Sequence, residues 1–466
     1  MKILSFQANA VHEFLNFNIN FNEDLNFIAG LNGSGKTTAL NLINFLLTPS
    51  IEELAKIKFE NLTVVLFDEL IQSRLAIRCL QDGDSIFFNT SDSNEWMSAN
   101  ISEVLYSDDK AVTNRLRSNS VFKRIDSIIP PMYLSLDRRF IQDAKPEELD
   151  FRWMMPKPKN FTSELDGSMK DALAIVSKKS AEAKEKQAAA DKKLRNKIIL
   201  DSFAAANGIQ EQMPFPDKRV ILTLKAKQAT IKKTLKNLDF ETEEFESLLD
   251  GFFANLTSLA KSALATLNPS SSSFRPSSKN SATHRTKEID SIPPQKMEKK
   301  LYSEENSRVL AKWFVNSHQL GRINRLVKLI DEYEKEQLEI NFEIEKFALL
   351  VNSFFEQTSK KIVVTNRGEI KIFIASAERT LTVMSSGERQ ILIILAHLCL
   401  NSSLPKNGIF IVDEPELSLH LAWQEMFVEA VQTASPELQI ILATHSPAII
   451  GGRNKFYIPL YKGDGQ

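Results

Sequence analysis

Along the N-terminal part of the chain, Leu15, Phe17, Ile19 and Phe21 alternate with Asn16, Asn18 and Asn20. That two-residue period is the mark of a strand with one buried face, and it predicts an antiparallel edge region. Leu25 to Ala29 is a short apolar run ending at Gly30, and Lys36 to Leu47 then carries apolar residues at helical spacing (Leu40, Ile43, Leu47) ahead of Pro49. The predicted order is strand, glycine loop, helix. Further strands are expected over Leu62 to Phe67, Leu75 to Leu80, Ser85 to Phe88 and Met132 to Leu136, with polar turns such as Gln81-Asp82-Gly83-Asp84 between them.

From about Phe151 to Phe355 the pattern changes to helices and linkers. Ser168 to Leu200 is rich in Ala and Lys and holds nine basic against four acidic residues, a local excess of five positive charges. A second helical stretch is expected over roughly Lys218 to Leu264. Between Asn268 and Gln295, the serines Ser270 to Ser273 and four prolines describe a solvated linker. Ile323, Leu326, Val327 and Ile330 mark an amphipathic helix, and the apolar pattern resumes at Leu338, Phe342, Phe347 and Leu350. Strand signals return as a hairpin, Ile362 to Thr365 and Glu369 to Ile374, around Asn366-Arg367-Gly368. The expected organisation is a head split into residues 1–150 and 356–466, with a helical insertion at 151–355 whose linker lies near 268–295.

Composition adds bounds. With 466 residues, 43% hydrophobic and 25% charged, the chain has ample material for a core. A formal net charge of -1 gives no global attraction to nucleic acid, so any such binding must come from local patches. Two cysteines, Cys79 and Cys399, both within apolar stretches, read as buried free thiols of a reducing cytoplasm. The longest unbroken apolar run, Ile391 to Ala396, is far short of a membrane span, so a cytoplasmic location with no membrane partner is expected.

The chemistry is concentrated in five short segments. Gly30-Leu31-Asn32-Gly33-Ser34-Gly35-Lys36-Thr37 fits the phosphate-binding loop and sits between a strand and a helix as that loop requires. Its backbone N–H groups and the helix N-terminus would face the phosphates of ATP. Lys36 would reach the β- and γ-phosphates, and Thr37 would offer a hydroxyl to Mg²⁺. Gly30, Asn32, Gly33, Ser34, Gly35, Lys36, Thr37 and Thr38 form the candidate nucleotide-binding set. Gly408 to Glu414 is an apolar strand ending in two carboxylates: Asp413 would join Thr37 at the metal, and Glu414 would polarise the attacking water. Ser385-Ser386-Gly387-Glu388 opens a strongly apolar helical run, a second anion site suited to a γ-phosphate presented by another subunit. Leu438 to Ala443 is a strand ending in Thr444-His445-Ser446-Pro447, which makes His445 a candidate contact to the γ-phosphate. Pro415 to His420 occupies the place of the loop connecting two sites of a dimer. Taken singly, these are also a glycine turn, an acidic strand end, a helix cap and a structural histidine; their order reads as an ABC-type ATPase head.

These motifs resemble the SMC/Rad50-like branch of ABC ATPases, and within it the bacterial AAA-15/AAA-21 group that supplies ATPase subunits to anti-phage defence systems. The resemblance covers about 1–150 and 356–466. With Tyr133 to Phe140 it comes nearest the AriA-type ATPases of PARIS systems, then the PtuA-type ATPases of Septu and retron systems. It implies an α/β fold: a P-loop head with a mixed sheet, flanking helices and an antiparallel subdomain, interrupted by an α-helical insertion with coiled-coil-like segments. ATP and Mg²⁺ are the implied cofactors, with Glu414 and His445 catalytic. ATP would be sandwiched against Ser385 to Gly387 of a second copy, so the implied assembly is at least a head-to-tail dimer, with a hexamer left open. The implied partners are a separate effector nuclease of Toprim type and a phage-encoded trigger, such as an acidic DNA-mimicking protein; nucleic acid could bind the basic insertion. A DNA-repair or chromosome-maintenance ATPase of the RecF/SMC kind is the alternative. A Cys-x-x-Cys zinc hook is absent from the chain, and with 21 residues after His445 a following Toprim domain is not expected. The best candidate for the glutamine that senses nucleotide is Gln142, and Arg138 and Arg139 are candidates to line the site.

Overall fold

A computed structural model describes residues 1–69, 71–106, 118–128, 130–134, 140–141, 167–204, 215–237, 243–267, 304–402 and 407–460. The chain begins with strands β1 (Lys2–Val11), β2 (Leu15–Asn20) and β3 (Leu25–Ala29), then helices α1 (Lys36–Leu47) and α2 (Ile51–Ala55). Strands β4 (Asn61–Asp68), β5 (Ser73–Asp82), β6 (Ser85–Thr90) and β7 (Met97–Asn100) come next. Helices α3 (Ile101–Tyr106) and α4 (Ser120–Asp126) precede β8 (Met132–Leu134) and β9 (Phe140–Ile141). The helices α5 (Gly167–Ala204), α6 (Lys218–Asn237), α7 (Glu243–Leu267) and α8 (Glu304–Phe355) follow. The chain then forms β10 (Lys360–Val364), β11 (Ile370–Ile374), β12 (Ala377–Arg379), α9 (Ser386–Leu400) and β13 (Ile409–Asp413). It closes with α10 (Leu421–Ala434), β14 (Gln439–Ala443), α11 (Pro447–Ile450) and β15 (Tyr457–Pro459). These elements form two units, residues 1–182 with 342–466, and residues 183–341, so the boundaries cut through α5 and α8.

The first unit is the P-loop head. Its central sheet has the order β15-β3-β14-β13-β8-β9, parallel except at the β8/β9 edge. A parallel strand covered on both faces is apolar throughout, as Ile409 to Val412 and Ile440 to Ala443 are. Alternation along these strands divides their side chains between two cores. Ile409, Ile411, Ile441 and Ala443 pack with Leu40, Ile43 and Leu47 of α1 and with the inner face of an antiparallel sheet of order β2-β1-β4-β5-β6-β7. On that sheet Leu15, Phe17 and Ile19 point inward and the intervening asparagines outward, as the two-residue period predicts. Phe410, Val412, Ile440 and Leu442 face the other core, built from α9, α10, Val176 of α5 and Phe347, Val351, Phe354 and Phe355 of α8. Each such side chain contributes about 1.5–3 kcal/mol by leaving water. Phe355 stacks on Trp423 with ring centroids 6.3 Å apart, which fixes the end of α8 to α10 within this unit.

The second unit buries Leu194 of α5, Ile231 of α6, Phe253 and Leu256 of α7, and Trp313 and Ile323 of α8 in one core. Lys218 to Leu264, expected as a single helical stretch, is two antiparallel helices: Lys232 of α6 lies 3.1 Å from Glu246 and 3.4 Å from Asp250 of α7. Their apolar faces can cover one another only if the chain doubles back. Conversely, the segments around Ile323 and from Leu338 onward belong to one uninterrupted helix of 52 residues. The basic excess of α5 is partly answered by α8, through Lys193–Glu336 at 3.0 Å and Lys197–Glu332 at 3.1 Å. Within the head unit Lys179 likewise meets Glu343 at 2.5 Å. The serine-rich stretch at 268–295 lies outside the described residues, and no described helix is long and apolar enough to cross a membrane. Cys79 is buried, whereas Cys399 is only partly so; burial pushes its thiol up to about 12.

Candidate functional site

In the central sheet β3, β14 and β13 are adjacent and parallel, so the segments leaving their C-terminal ends emerge side by side. Those segments are the glycine loop, Thr444 to Pro447, and Asp413 to His420. Register pairs Asp413 with Ala443 and Ala443 with Ile28, which brings residues more than 400 apart in the chain into one row.

The glycine loop takes backbone conformations that side chains resist. Gly33 and Gly35 have φ of +79° and +91°, and a Cβ on Gly35 would lie 2.8 Å from the Phe17 ring. Lys36, at the start of α1, is 5% exposed. Its ammonium donates to the Gly30 carbonyl at 3.3 Å, contacts His445 Nε2, and lies 3.8 Å from Glu414 Oε1. His445 Nε2 is in turn 3.4 Å from Glu414 Oε1. A buried cation, a carboxylate and an imidazole therefore meet where the glycine loop opens. Asn32 is exposed, while Thr37 and Thr38 are half-buried.

Asp413 is 3% exposed, and neither carboxylate oxygen has a hydrogen-bond partner among the described residues. Burial raises its pKa, opposed by the Thr37 hydroxyl and by Lys36; the hydroxyl stands close without closing a hydrogen bond of ordinary geometry. Two orphaned buried oxygens beside a threonine hydroxyl are a hard-oxygen donor set, and Mg²⁺ fits it. Glu414, next in the chain, has φ of +50° and donates its N–H to the Ala443 carbonyl at 2.9 Å, which turns its side chain out of the sheet. Burial pushes its carboxyl up to about 7, with Glu416 and Asp413 adding to the rise and Lys36 opposing it.

Ser385 caps α9. Its hydroxyl accepts from the Glu388 N–H at 3.3 Å, and Glu388 Oε2 accepts from the Ser385 N–H at 2.7 Å, a complete capping box. Glu388 is 1% exposed and is also held by Lys360 at 2.8 Å and Thr358 at 3.0 Å. Its carboxylate is thus committed to its own chain, while Ser385 and Ser386 are exposed at the helix start. Gly387 packs directly on the Ser418 carbonyl, so a side chain there would displace the loop after β13. Gln142, Arg138 and Arg139 lie outside the described residues.

Glu416 is the residue whose place in the site sequence reasoning missed. The sequence places it only in the connecting loop, whereas in the structure it accepts from the Thr444 hydroxyl and from the N–H groups of His445 and Ser446. The sole signal for it was a further carboxylate two positions after Glu414.

Over 89 residues, 19% of this chain, the sequence is 37% identical to the retron Vc95 probable ATPase of Vibrio cholerae serotype O1 biovar El Tor. The matched stretch spans 17% of that protein's length. Among solved structures, the chain is similar to the Smc head domain with an extended coiled coil, bound to the C-terminal domain of ScpA, from Pyrococcus furiosus. The TM-score is 0.39 at 13% identity, covering 99% of this chain and 94% of that one. A Smc head domain with a coiled coil and joint from Pyrococcus yayanosii gives a TM-score of 0.35 at 14% identity, covering 96% and 93%. The model of the AAA-15 family, described as an AAA ATPase domain, matches residues 1–450, and the chain belongs to that family.

Proposed function

We propose that the chain binds ATP at the Gly30–Thr38 loop, hydrolyses it between two copies of the head, and uses that cycle to control a separate effector in anti-phage defence. The observation that carries the reading is the meeting of Lys36, Glu414 and His445 beside the orphaned Asp413 carboxylate. Loop N–H groups and Lys36 bind the phosphates, with charge-assisted hydrogen bonds about twice as strong as neutral ones. Asp413 and Thr37 would hold Mg²⁺, which when bound neutralises phosphate oxygen charge. A carboxyl poised near 7 can accept a proton from water at neutral pH, the task assigned to Glu414. His445 faces the γ-phosphate, and Ser385, Ser386 and Gly387 of a second copy would close the site from the opposite side. Nucleotide state then governs assembly.

The partial likeness to a retron ATPase supports the defence reading, in which the effector is a nuclease and the trigger a phage product. An acidic trigger or nucleic acid on α5 would rest on basic residues other than Lys179, Lys193 and Lys197, which already have acidic partners. The test compares Glu414→Gln with Lys36→Ala. Glu414→Gln keeps ATP affinity, loses turnover by about 100-fold or more, and accumulates an ATP-dependent head pair in size-exclusion chromatography. Lys36→Ala loses tight ATP binding and forms no such pair. Undiminished turnover in Glu414→Gln, or wild-type affinity in Lys36→Ala, overturns the assignment.

A further inference from the structure

The segments leaving β13 and β14 are locked together by one carboxylate. Glu416 Oε1 accepts the His445 N–H at 2.6 Å and the Ser446 N–H at 3.1 Å. The buried Thr444 hydroxyl sits astride both oxygens, 2.8 Å from Oε1 and from Oε2. Three consecutive residues thus converge on a single side chain, and the middle one carries the imidazole that meets Lys36 and Glu414. A second brace holds the same segment from α10: the Ser446 hydroxyl donates to Gln424 Oε1 at 2.6 Å, and Gln424 Nε2 donates to the Leu419 carbonyl at 2.9 Å.

We propose that Glu416 is a positioning residue for hydrolysis, clamping the backbone of residues 444–446 so that the His445 ring is presented to the phosphate end of the site. The inference rests on the ATPase reading above and assigns Glu416 a role beside Glu414 rather than in its place. Glu416 Oε1 is taken up by two backbone N–H groups of its own chain, and the one Thr444 hydroxyl proton is available to either oxygen. Glu414, by contrast, faces Lys36 and His445. Glu416 holds the main chain that carries His445, and its carboxylate also adds to the rise of the Glu414 carboxyl. Strand order makes the clamp possible: β13 and β14 pair in register up to Asp413 and Ala443, so residues three positions beyond each strand's end, or fewer, come within reach of one side chain. Charge-assisted bonds to backbone N–H groups suit this task because they fix the main chain and leave the ring free to meet the phosphate.

The experiment measures steady-state ATP hydrolysis, affinity for a fluorescent ATP analogue, and thermal melting of the full chain with Glu416→Ala, Glu416→Gln and Thr444→Val. Glu416→Ala releases the His445 N–H and the Thr444 hydroxyl while Ser446 stays held by Gln424 and the Thr444 oxygen, and kcat falls about 100-fold, the cost of displacing a catalytic group by about 1 Å. KM and analogue affinity stay within about twofold, because the glycine loop and Lys36 are untouched. Glu416→Gln restores most of kcat: its amide oxygen can accept both N–H groups, and the Thr444 hydroxyl can turn to accept from the amide nitrogen. Thr444→Val removes one partner and leaves both N–H bonds, so its loss is smaller than that of Glu416→Ala, and it keeps the test decisive if Glu416→Ala does not fold. Undiminished kcat in Glu416→Ala overturns the clamp. So does a Glu416→Gln as inactive as Glu416→Ala, which would mean that the charge itself acts. Loss of analogue affinity in parallel with kcat would overturn it too. A wild-type chain that binds ATP without turnover overturns the hydrolytic reading along with it, whereas an active wild type with an active Glu416→Ala overturns the clamp alone.

Discussion

Glu388→Ala removes, in one substitution, half of the capping box of α9 and the partner of a mostly buried cation. The carboxylate is 1% exposed and takes bonds from Lys360 at 2.8 Å, the Ser385 N–H at 2.7 Å and the Thr358 hydroxyl at 3.0 Å. Removing one member of a buried pair costs about 3–5 kcal/mol, and loss of a cap alone about 1 kcal/mol. Lys360 retains the Val383 carbonyl at 3.0 Å and a side chain 15% exposed, which places the expected loss at the lower end, about 3 kcal/mol. In a unit of this size that corresponds to a drop in Tm of about 5 °C. Glu388→Gln keeps the bonds from Ser385 and Thr358 without the charge and loses about half as much. The pH dependence has a definite sign. Burial works to raise this carboxyl, but Lys360, Ser385 and Thr358 outweigh it and hold the folded pKa below the ordinary value. The stabilisation is therefore present above the unfolded pKa of about 4.3 and is lost as pH falls through the folded one. The gap in Tm between wild type and Glu388→Gln should hold from pH 7 to about pH 5 and close in stronger acid. Circular dichroism melts across that range test this, with ATP hydrolysis measured in parallel, since the same cap presents Ser385 and Ser386. A Glu388→Ala protein melting within about 1 °C of wild type at pH 7 would refute the reasoning, as would a gap that widens in acid.

Two further outcomes follow from particular contacts. Gly35→Ala must adopt φ near +91° and drive a Cβ into Phe17, so about 1–2 kcal/mol of backbone strain adds to a clash at the mouth of α1; ATP affinity should drop more than about tenfold by fluorescence titration, and wild-type affinity would contradict this account of the loop. Lys193→Gln combined with Lys197→Gln removes two exposed ion pairs, each worth about 0–1 kcal/mol, and should leave duplex DNA affinity and its salt slope unchanged; a slope reduced by about two in gel-shift titrations would show instead that these lysines reach phosphates.

Local structure was legible in the sequence wherever neighbours in the chain decide it. The glycine loop, α1 from Lys36 to Leu47, the apolar strands before Asp413 and Thr444, and the serine cap before Ile391 follow from spacing and residue type within a dozen positions. Lys2 to Val11 escaped that reading, because register shifts near Ile3 and Ala8 interrupt its two-residue period. Spacing could not separate α6 from α7 or join Ile323 to Leu338 in one helix, since helical period persists wherever apolar faces find each other. Tertiary structure alone decided the rest. Glu388, grouped by sequence with Ser385 to Gly387 in the second anion site, is instead enclosed by Lys360 and Thr358. The lysines of α5 looked like a free basic face until α8 supplied carboxylates more than a hundred residues away. The order β3-β14-β13 brings Lys36, Glu414 and His445 to one point and lets Glu416 reach across two strand ends. No local pattern encodes those meetings, because strand neighbours are selected by the packing of two cores on opposite faces of one sheet, a condition that only the whole head satisfies.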